Sequence, residues 1–171
     1  MRTAYETLLE RPDLPQLLER AQMYLKEEEA RRRKFYEDID ENDKAEFVNG
    51  EVIMHSPAKR RHNAARMCLA MLLNVFARIR NLGEVQDEKA MIHLSRNSFE
   101  PDIAFWSSEK ADDFDDDQML FPAPDFVVEV LSPSTEGYDR GIKRIDYALH
   151  GVKEYWIVDP KENIIEQYLL P

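Results

Sequence analysis

Hydrophobic and polar positions recur along the chain with two different periods, and the switches between them predict its elements. Asp13-Leu14-Pro15-Gln16 supplies a capping aspartate and an early proline, and Leu17, Leu18, Ala21 and Leu25 follow at helical spacing. The strongly charged run that continues to Lys34 and on to residue 42 marks this helix as an appendage to the core. In "EFVNGEVIM", residues 46–54, Asn49-Gly50 stands between alternating apolar positions and predicts a two-residue hairpin, because both turn positions need positive φ. A long helix is expected over 60–82, with Cys68, Leu72, Val75, Phe76 and Ile79 as its apolar face and Gly83 as a left-handed stop. Among Met67, Leu69, Met71 and Leu72, Cys68 reads as a small buried hydrophobe.

Residues 85–94, 103–106 and 126–131 read as strands. A helix over 139–149 follows, with Ile142, Ile145 and Leu149 as its buried stripe and Gly151 at its end. Residues 154–158 and 164–168 then form a strand pair around the Asp159-Pro160 turn. The order is that of a mixed β-sheet flanked by helices, an α/β (α+β mixed) domain over 43–171 preceded by a helical extension over 1–42. The chain stops at Pro171 soon after a strand, which leaves room for a further C-terminal piece.

Composition narrows the class. At 171 residues, 43% hydrophobic and 33% charged, the chain is long enough for one domain with a real core. No apolar run reaches the length of a membrane span, and Met1-Arg2-Thr3-Ala4-Tyr5-Glu6 lacks the apolar stretch of a secretory signal. One cysteine allows no intrachain disulfide, so a reducing, cytoplasmic location is expected and no membrane partner. The net charge of −11 counts against loose duplex binding, although Arg31-Arg32-Arg33-Lys34, Lys59-Arg60-Arg61 and Arg140 with Lys143 and Arg144 remain as basic clusters. The acidic stretch from Asp112 to Asp117 lacks the glycine and spaced glutamate of a calcium loop and reads as solvated.

The candidate chemistry lies in two carboxylates set among apolar residues, Asp102 in "PDIAFW" and Glu129 in "VVEVL". Alternation puts Val127, Glu129 and Leu131 on one face of a strand and Phe126, Val128 and Val130 on the other. A buried carboxylate needs compensation. Two acids meeting from neighbouring strands make a hard-oxygen site suited to Mg²⁺ or Mn²⁺. Lys143, with Asp139 and Tyr147 on the same helix face, is placed to hold an attacking water and steady charge on phosphorus. The same residues are also compatible with a plain buried ion pair between Glu129 and a lysine or arginine. His55, His93 and His150 lack ligand spacing and read as structural or exposed, and Trp106 and Trp156 read as core.

"PD…VVEVLSPST…DRGIKRIDYALHGVKEYWIVDP", with "EFVNGEVIMHSPAKRRHN" and "FEPDIAF" upstream, resembles the Uma-two family of restriction endonucleases, a branch of the PD-(D/E)XK nuclease superfamily. The resemblance spans roughly residues 44–168. It implies a restriction-endonuclease-like core that binds a divalent metal and hydrolyses DNA phosphodiesters. Asp102 and Glu129 match the metal-binding acids, and the main-chain carbonyl of Val130 would be the third protein ligand. Glu46 matches a further acid before the hairpin, with Glu51 a weaker match. The superfamily pattern places lysine at position 131, where this chain has Leu131, and Lys143 on the next helix matches the displaced lysine. His62 matches a histidine after "SP", or equally serves as a hydrogen-bonding residue at a helix start.

The reading adopted is a divalent-metal-dependent endodeoxyribonuclease in which Asp102 and Glu129 hold Mg²⁺ or Mn²⁺ and Lys143 orients the attacking water. Arg60, Arg61, Arg144 and His62 contact substrate, DNA is the partner, and a homodimer is expected because duplex cutting needs two sites. The rival is a catalytically silent member of the fold that acts as a binding or assembly module.

Overall fold

The computed structural model describes residues 2–40 and 42–171, which divide into two compact units, Met1–Ile39 and Asp40–Pro171. The first unit holds two helices, α1 (Ala4–Leu9) and α2 (Leu14–Asp38). A capping box between Thr3 and Glu6 starts α1. Asp13 takes the N-cap position of α2 but makes no capping bond. Its carboxylate accepts two 2.8 Å hydrogen bonds from Arg11, so the neighbouring guanidinium outcompetes the helix N–H groups.

The second unit contains two five-stranded sheets where a single mixed sheet was expected. Its elements in order are β1 (Ala45–Val48), β2 (Glu51–Met54), α3 (Arg60–Arg80), β3 (Gly83–Asp87), β4 (Met91–His93), β5 (Ser98–Phe99), β6 (Ile103–Ser107), α4 (Ser108–Ala111), β7 (Leu120–Phe121) and β8 (Phe126–Val130). After them come α5 (Glu136–Tyr138), a π-helical turn (Asp139–Lys143), α6 (Arg144–Leu149), β9 (Glu154–Asp159) and β10 (Ile164–Leu169). The smaller sheet runs β2-β1-β5-β4-β7 and the larger β10-β9-β8-β6-β3. In the larger sheet β8 and β9 are parallel and the other pairs antiparallel. The β1–β2 hairpin turns at Asn49 (φ 51) and Gly50 (φ 88), as the dipeptide required.

Both faces of the larger sheet are buried. One face and the smaller sheet share a core that includes Ile92, Phe99, Trp106, Val127, Leu131, Tyr147 and Tyr155. The other face, with Ile103, Val128, Val130 and Val158, packs against α3. The alternation read along β8 therefore holds, with Glu129 on the inter-sheet side.

Two helix faces differ from expectation. On α3 the residues buried on the sheet are His62, Ala70 and Ala77, with Ala65, Leu69 and Leu73 beside them. Cys68, Met71, Leu72, Val75, Phe76 and Ile79 face outward, so Cys68 is an exposed thiol and the large apolar stripe is the outer face. Ala65 and Ala70 let the helix lie close to the Val-rich sheet, and Leu69 and Leu73 fill the space beside them. The stop also comes two residues earlier than Gly83: Asn81 adopts φ 52, ψ 46. Gly83 instead opens β3 at φ 144, where a Cβ would lie 2.0 Å from the Trp106 carbonyl oxygen. On the second helix Ile145 and Leu149 are exposed, and Asp139, Lys143, Asp146 and Tyr147 are buried in their place. The π-helical turn widens the spiral by one residue and turns Asp139 and Lys143 inward. The strand expected over 85–94 is interrupted where Glu88 (φ 54) and Lys89 (φ 53) take left-handed backbone. Among the described residues no helix is long and apolar enough to cross a membrane.

Candidate active site

The register Ile103↔Val128 between β6 and β8 sets Asp102, immediately before β6, alongside Glu129. A hydrogen bond of 2.8 Å from the Val130 backbone N–H to Asp102 Oδ2 fixes that approach. Both acids open on one cleft of about 560 Å³, which Val130, His62, Lys44 and Lys143 also line.

Asp102 is well supplied with donors. Lys44 Nζ lies 3.3 Å from Oδ1, and His62 Nε2 lies 3.2 Å from Oδ2. Burial works against its charge, yet the His62 hydrogen bond and the Lys44 ammonium outweigh it and hold the carboxyl at about 2. The same pairing raises His62 above the ordinary histidine value in spite of the burial that opposes it.

Glu129 is treated differently. Its Oε1 accepts a 3.0 Å hydrogen bond from Lys143 Nζ, which also lies 2.7 Å from Glu46 Oε1 and 3.1 Å from Asp139 Oδ1. Lys143 is only 1% exposed, so one ammonium serves three buried carboxylates. Burial drives Glu129 well above the ordinary glutamate value, with Lys143 opposing and Asp139 and Asp102 adding to the rise. Asp139 is raised by burial as well, while Lys143 and His55 pull Glu46 down against its burial. The three acids raise Lys143 far above the ordinary lysine range although burial opposes this.

Each member of the cage is held by a separate device. Glu46 comes from β1, whose four residues are all buried, and its Oε1 accepts the Glu100 N–H at 3.0 Å. Glu100 in return accepts the Ala45 N–H at 3.2 Å, and burial pushes its carboxyl up to about 7. Thr135 donates to Asp139 Oδ2 at 2.8 Å, and the Tyr155 hydroxyl donates to the Asp139 carbonyl at 2.9 Å, which anchors the π-helical turn.

The structure thus brings together Asp102, Glu129, Val130, Lys143, Glu46 and His62. It leaves Glu51 exposed on the hairpin and Arg60 exposed outside the cleft lining, while the Arg144 guanidinium stacks 4.8 Å from the Tyr168 ring. His93 is exposed, and His150 caps its own helix and reaches Ser95 Oγ at 2.9 Å. Sequence reasoning missed three cleft residues. His55, read as structural, lies 3.3 Å from Glu46 Oε2, and Lys44 and Glu100 carried no spacing signal at all. Their only signal was adjacency to the hairpin and to "PD".

The donor set suits a hard divalent cation. Five buried acids, Glu46, Glu100, Asp102, Glu129 and Asp139, face two lysines, Lys44 and Lys143, with His55 and His62 as the remaining bases. Burial, with the repulsion of the neighbouring carboxylates added to it, pushes Glu129, Asp139 and Glu100 upward, and a cation would offset that as a proton does. Among the described residues no three His, Cys, Asp or Glu side chains converge on one point as ligands, so such an ion would rest on two carboxylates and complete its shell with other oxygens.

Residues 31–171 match the profile of the Uma2 family, described as "Putative restriction endonuclease". An uncharacterized protein of Synechocystis sp. is 29% identical over 133 residues, 74% of this chain and 72% of that protein. A solved structure from Anabaena variabilis, described as a "putative nuclease belonging to DUF820", superposes with a TM-score of 0.71 at 18% identity and covers 80% of this chain and 77% of its own. The last likeness is one of fold.

Proposed function

The chain belongs to the Uma2 family, and from that premise we propose that it is a divalent-metal-dependent endodeoxyribonuclease. The observation that carries the reading is the position of Lys143: displaced from the strand to the following helix, its ammonium nonetheless lies 3.0 Å from Glu129 in the same cleft as Asp102. Asp102, Glu129 and the Val130 carbonyl would hold Mg²⁺ or Mn²⁺, with Glu46 behind them. The ion would supply Lewis-acid polarisation of a phosphoryl oxygen and acidify water for attack. Asp102, already fully ionised, anchors the site, and His62 keeps Asp102 in place. Lys143 orients the attacking water and carries positive charge next to the phosphorus as negative charge develops there. Glu46 and Asp139 keep that ammonium protonated and aimed. DNA is the proposed substrate, and two copies of the chain would present one site to each strand of a duplex. Arg60 and Arg144 would then meet phosphates beyond the cleft.

The plain ion-pair reading of Glu129 has one feature in its favour, since Lys143 does pair with it. It does not account for three carboxylates around one lysine or for a cleft that opens on Glu129 and Lys143. Supercoiled plasmid incubated with Mn²⁺ or Mg²⁺ tests the proposal. Nicking by the wild type that EDTA stops and that Lys143→Met and Asp102→Asn abolish is expected. Cleavage that survives EDTA, or that Asp102→Asn leaves intact, would overturn it.

A further inference from the structure

A second cavity of about 580 Å³ adjoins the cleft, and Lys59, His62, Ser132 and Pro133 line both. Its wall is the N-terminus of α3. That 21-residue helix starts with no side-chain cap and no acid in its first turn. Lys59 sits at the N-cap, and Arg60, Arg61 and His62 follow it, cations placed at the positive end of the helix dipole, where anions are favoured. Arg61 faces Lys161 from the turn between β9 and β10, and the two repel each other. Two of the cavity's acids are engaged by other groups, Glu136 with Arg140 at 2.8 Å and Asp159 with the backbone N–H groups of Lys161 and Glu162 at 2.8 and 3.1 Å, while Glu162 pairs with Lys161 Nζ at 2.6 Å in an exposed ion pair from which a phosphate would draw the lysine. Lys59 and Arg61 have no carboxylate partner among the described residues. His62, 8% exposed, stands in the shared wall with Nε2 on Asp102 and Nδ1 without any partner.

We propose that this second cavity binds the phosphate adjacent to the scissile one, so that a single nucleic-acid strand passes from the Asp102–Glu129 cleft along the start of α3. Arg61, Lys161 and Lys59 contact that phosphate with the uncapped N–H groups of the helix, as anions bind at helix starts. The assignment rests on the nuclease reading of the neighbouring cleft. It moves the principal phosphate contact from Arg60 to Arg61 and adds Lys161, from a turn some 100 residues away in sequence.

The test is the salt dependence of binding of a labelled single-stranded DNA oligonucleotide, followed by anisotropy in Ca²⁺, a hard cation that takes the same oxygen ligands. Each lost phosphate contact lowers the slope of log K against log salt by about 1. The double variant Arg61→Ala/Lys161→Ala is expected to bind about tenfold more weakly with a slope shallower by about 1. Arg61→Lys should restore most of the slope to the single Arg61 change, and Arg80→Ala, at the far end of the same helix, should change neither quantity. Both altered side chains are exposed, so an unchanged melting temperature is expected. A double variant that keeps wild-type affinity and slope, while the wild type binds and cuts, would overturn the subsite and leave the nuclease standing. A wild type that neither binds nor cuts would overturn both.

Discussion

On one wall of the cleft Asp102 accepts a backbone N–H, faces a lysine ammonium and pairs with His62, and its carboxyl sits at about 2. On the other wall Glu129, equally buried, shares a single ammonium with Glu46 and Asp139 and is driven upward. The two acids are neighbours across one strand pair and differ in what surrounds them, not in depth. Asp102 is an anion that the fold has already neutralised. Glu129 is an anion that the fold brings together with too little positive charge, the arrangement expected where a cation is to be recruited.

The comparison breaks most readily at Lys143. Lys143→Met removes the one cation from a cage of three acids and should destabilise the chain by about 3–5 kcal/mol, because uncompensated buried charge is costly. Urea unfolding at pH 8 measures it, and a loss below about 1 kcal/mol would mean that Lys143 is not what neutralises the acids.

Glu100 sharpens the comparison through pH. Its carboxyl is pushed up to about 7 by burial, so the folded chain holds a proton that the unfolded chain releases near the ordinary glutamate value of 4.5. The folded state then binds more protons than the unfolded state between those values, and stability falls as pH rises through that window. The loss attributable to Glu100 should be about 2 kcal/mol, and Glu100→Gln should flatten the urea midpoint between pH 5 and pH 8 by a corresponding amount. A pH profile identical in the variant would contradict the assignment.

The two walls should also answer opposite ways to neutral isosteres. Asp102→Asn exchanges a well-served anion for an amide that cannot satisfy the same donors, and should destabilise by about 1–2 kcal/mol at pH 8. Glu129→Gln removes an undercompensated charge and should leave stability unchanged or raise it. Equal losses in both variants would erase the distinction. The smallest expected loss is at Thr135, which donates at 2.8 Å to Asp139. Thr135→Val should cost about 1 kcal/mol in thermal or urea unfolding, the usual net worth of one hydrogen bond.

Much of this wall-by-wall arrangement was legible in the chain. Asn49-Gly50 announced its hairpin because its backbone demands are local, and the period of two in β8 put Glu129 on the right face. Asp102, Glu129 and Lys143 stood out because carboxylates in apolar strands and a lysine on the next helix are visible in one dimension. The α3 face was not legible, since large apolar residues draw the eye while the sheet accepts alanine, and only the tertiary gap decides between Ala70 and Leu72. Nor was the exposure of Ile145 and Leu149, which follows from the π-helical turn that carries Asp139 and Lys143 inward. Lys44, His55 and Glu100 reach the cleft from loops and strand ends whose positions follow from sheet pairing and leave no periodic trace.

The central claim, that the Glu129 wall takes up a divalent cation, is tested most directly by calorimetric titration of Mn²⁺ at pH 7 in two buffers of different ionisation enthalpy. Binding to the wild type should release protons, because a cation displaces those held by the raised carboxyls, and the apparent enthalpy should differ between the buffers. Glu129→Gln should bind at least tenfold more weakly and release fewer protons. A wild type that takes up no Mn²⁺, or a Glu129→Gln variant that binds it equally well with the same proton release, would contradict the account and leave Glu129 as one arm of a buried ion pair.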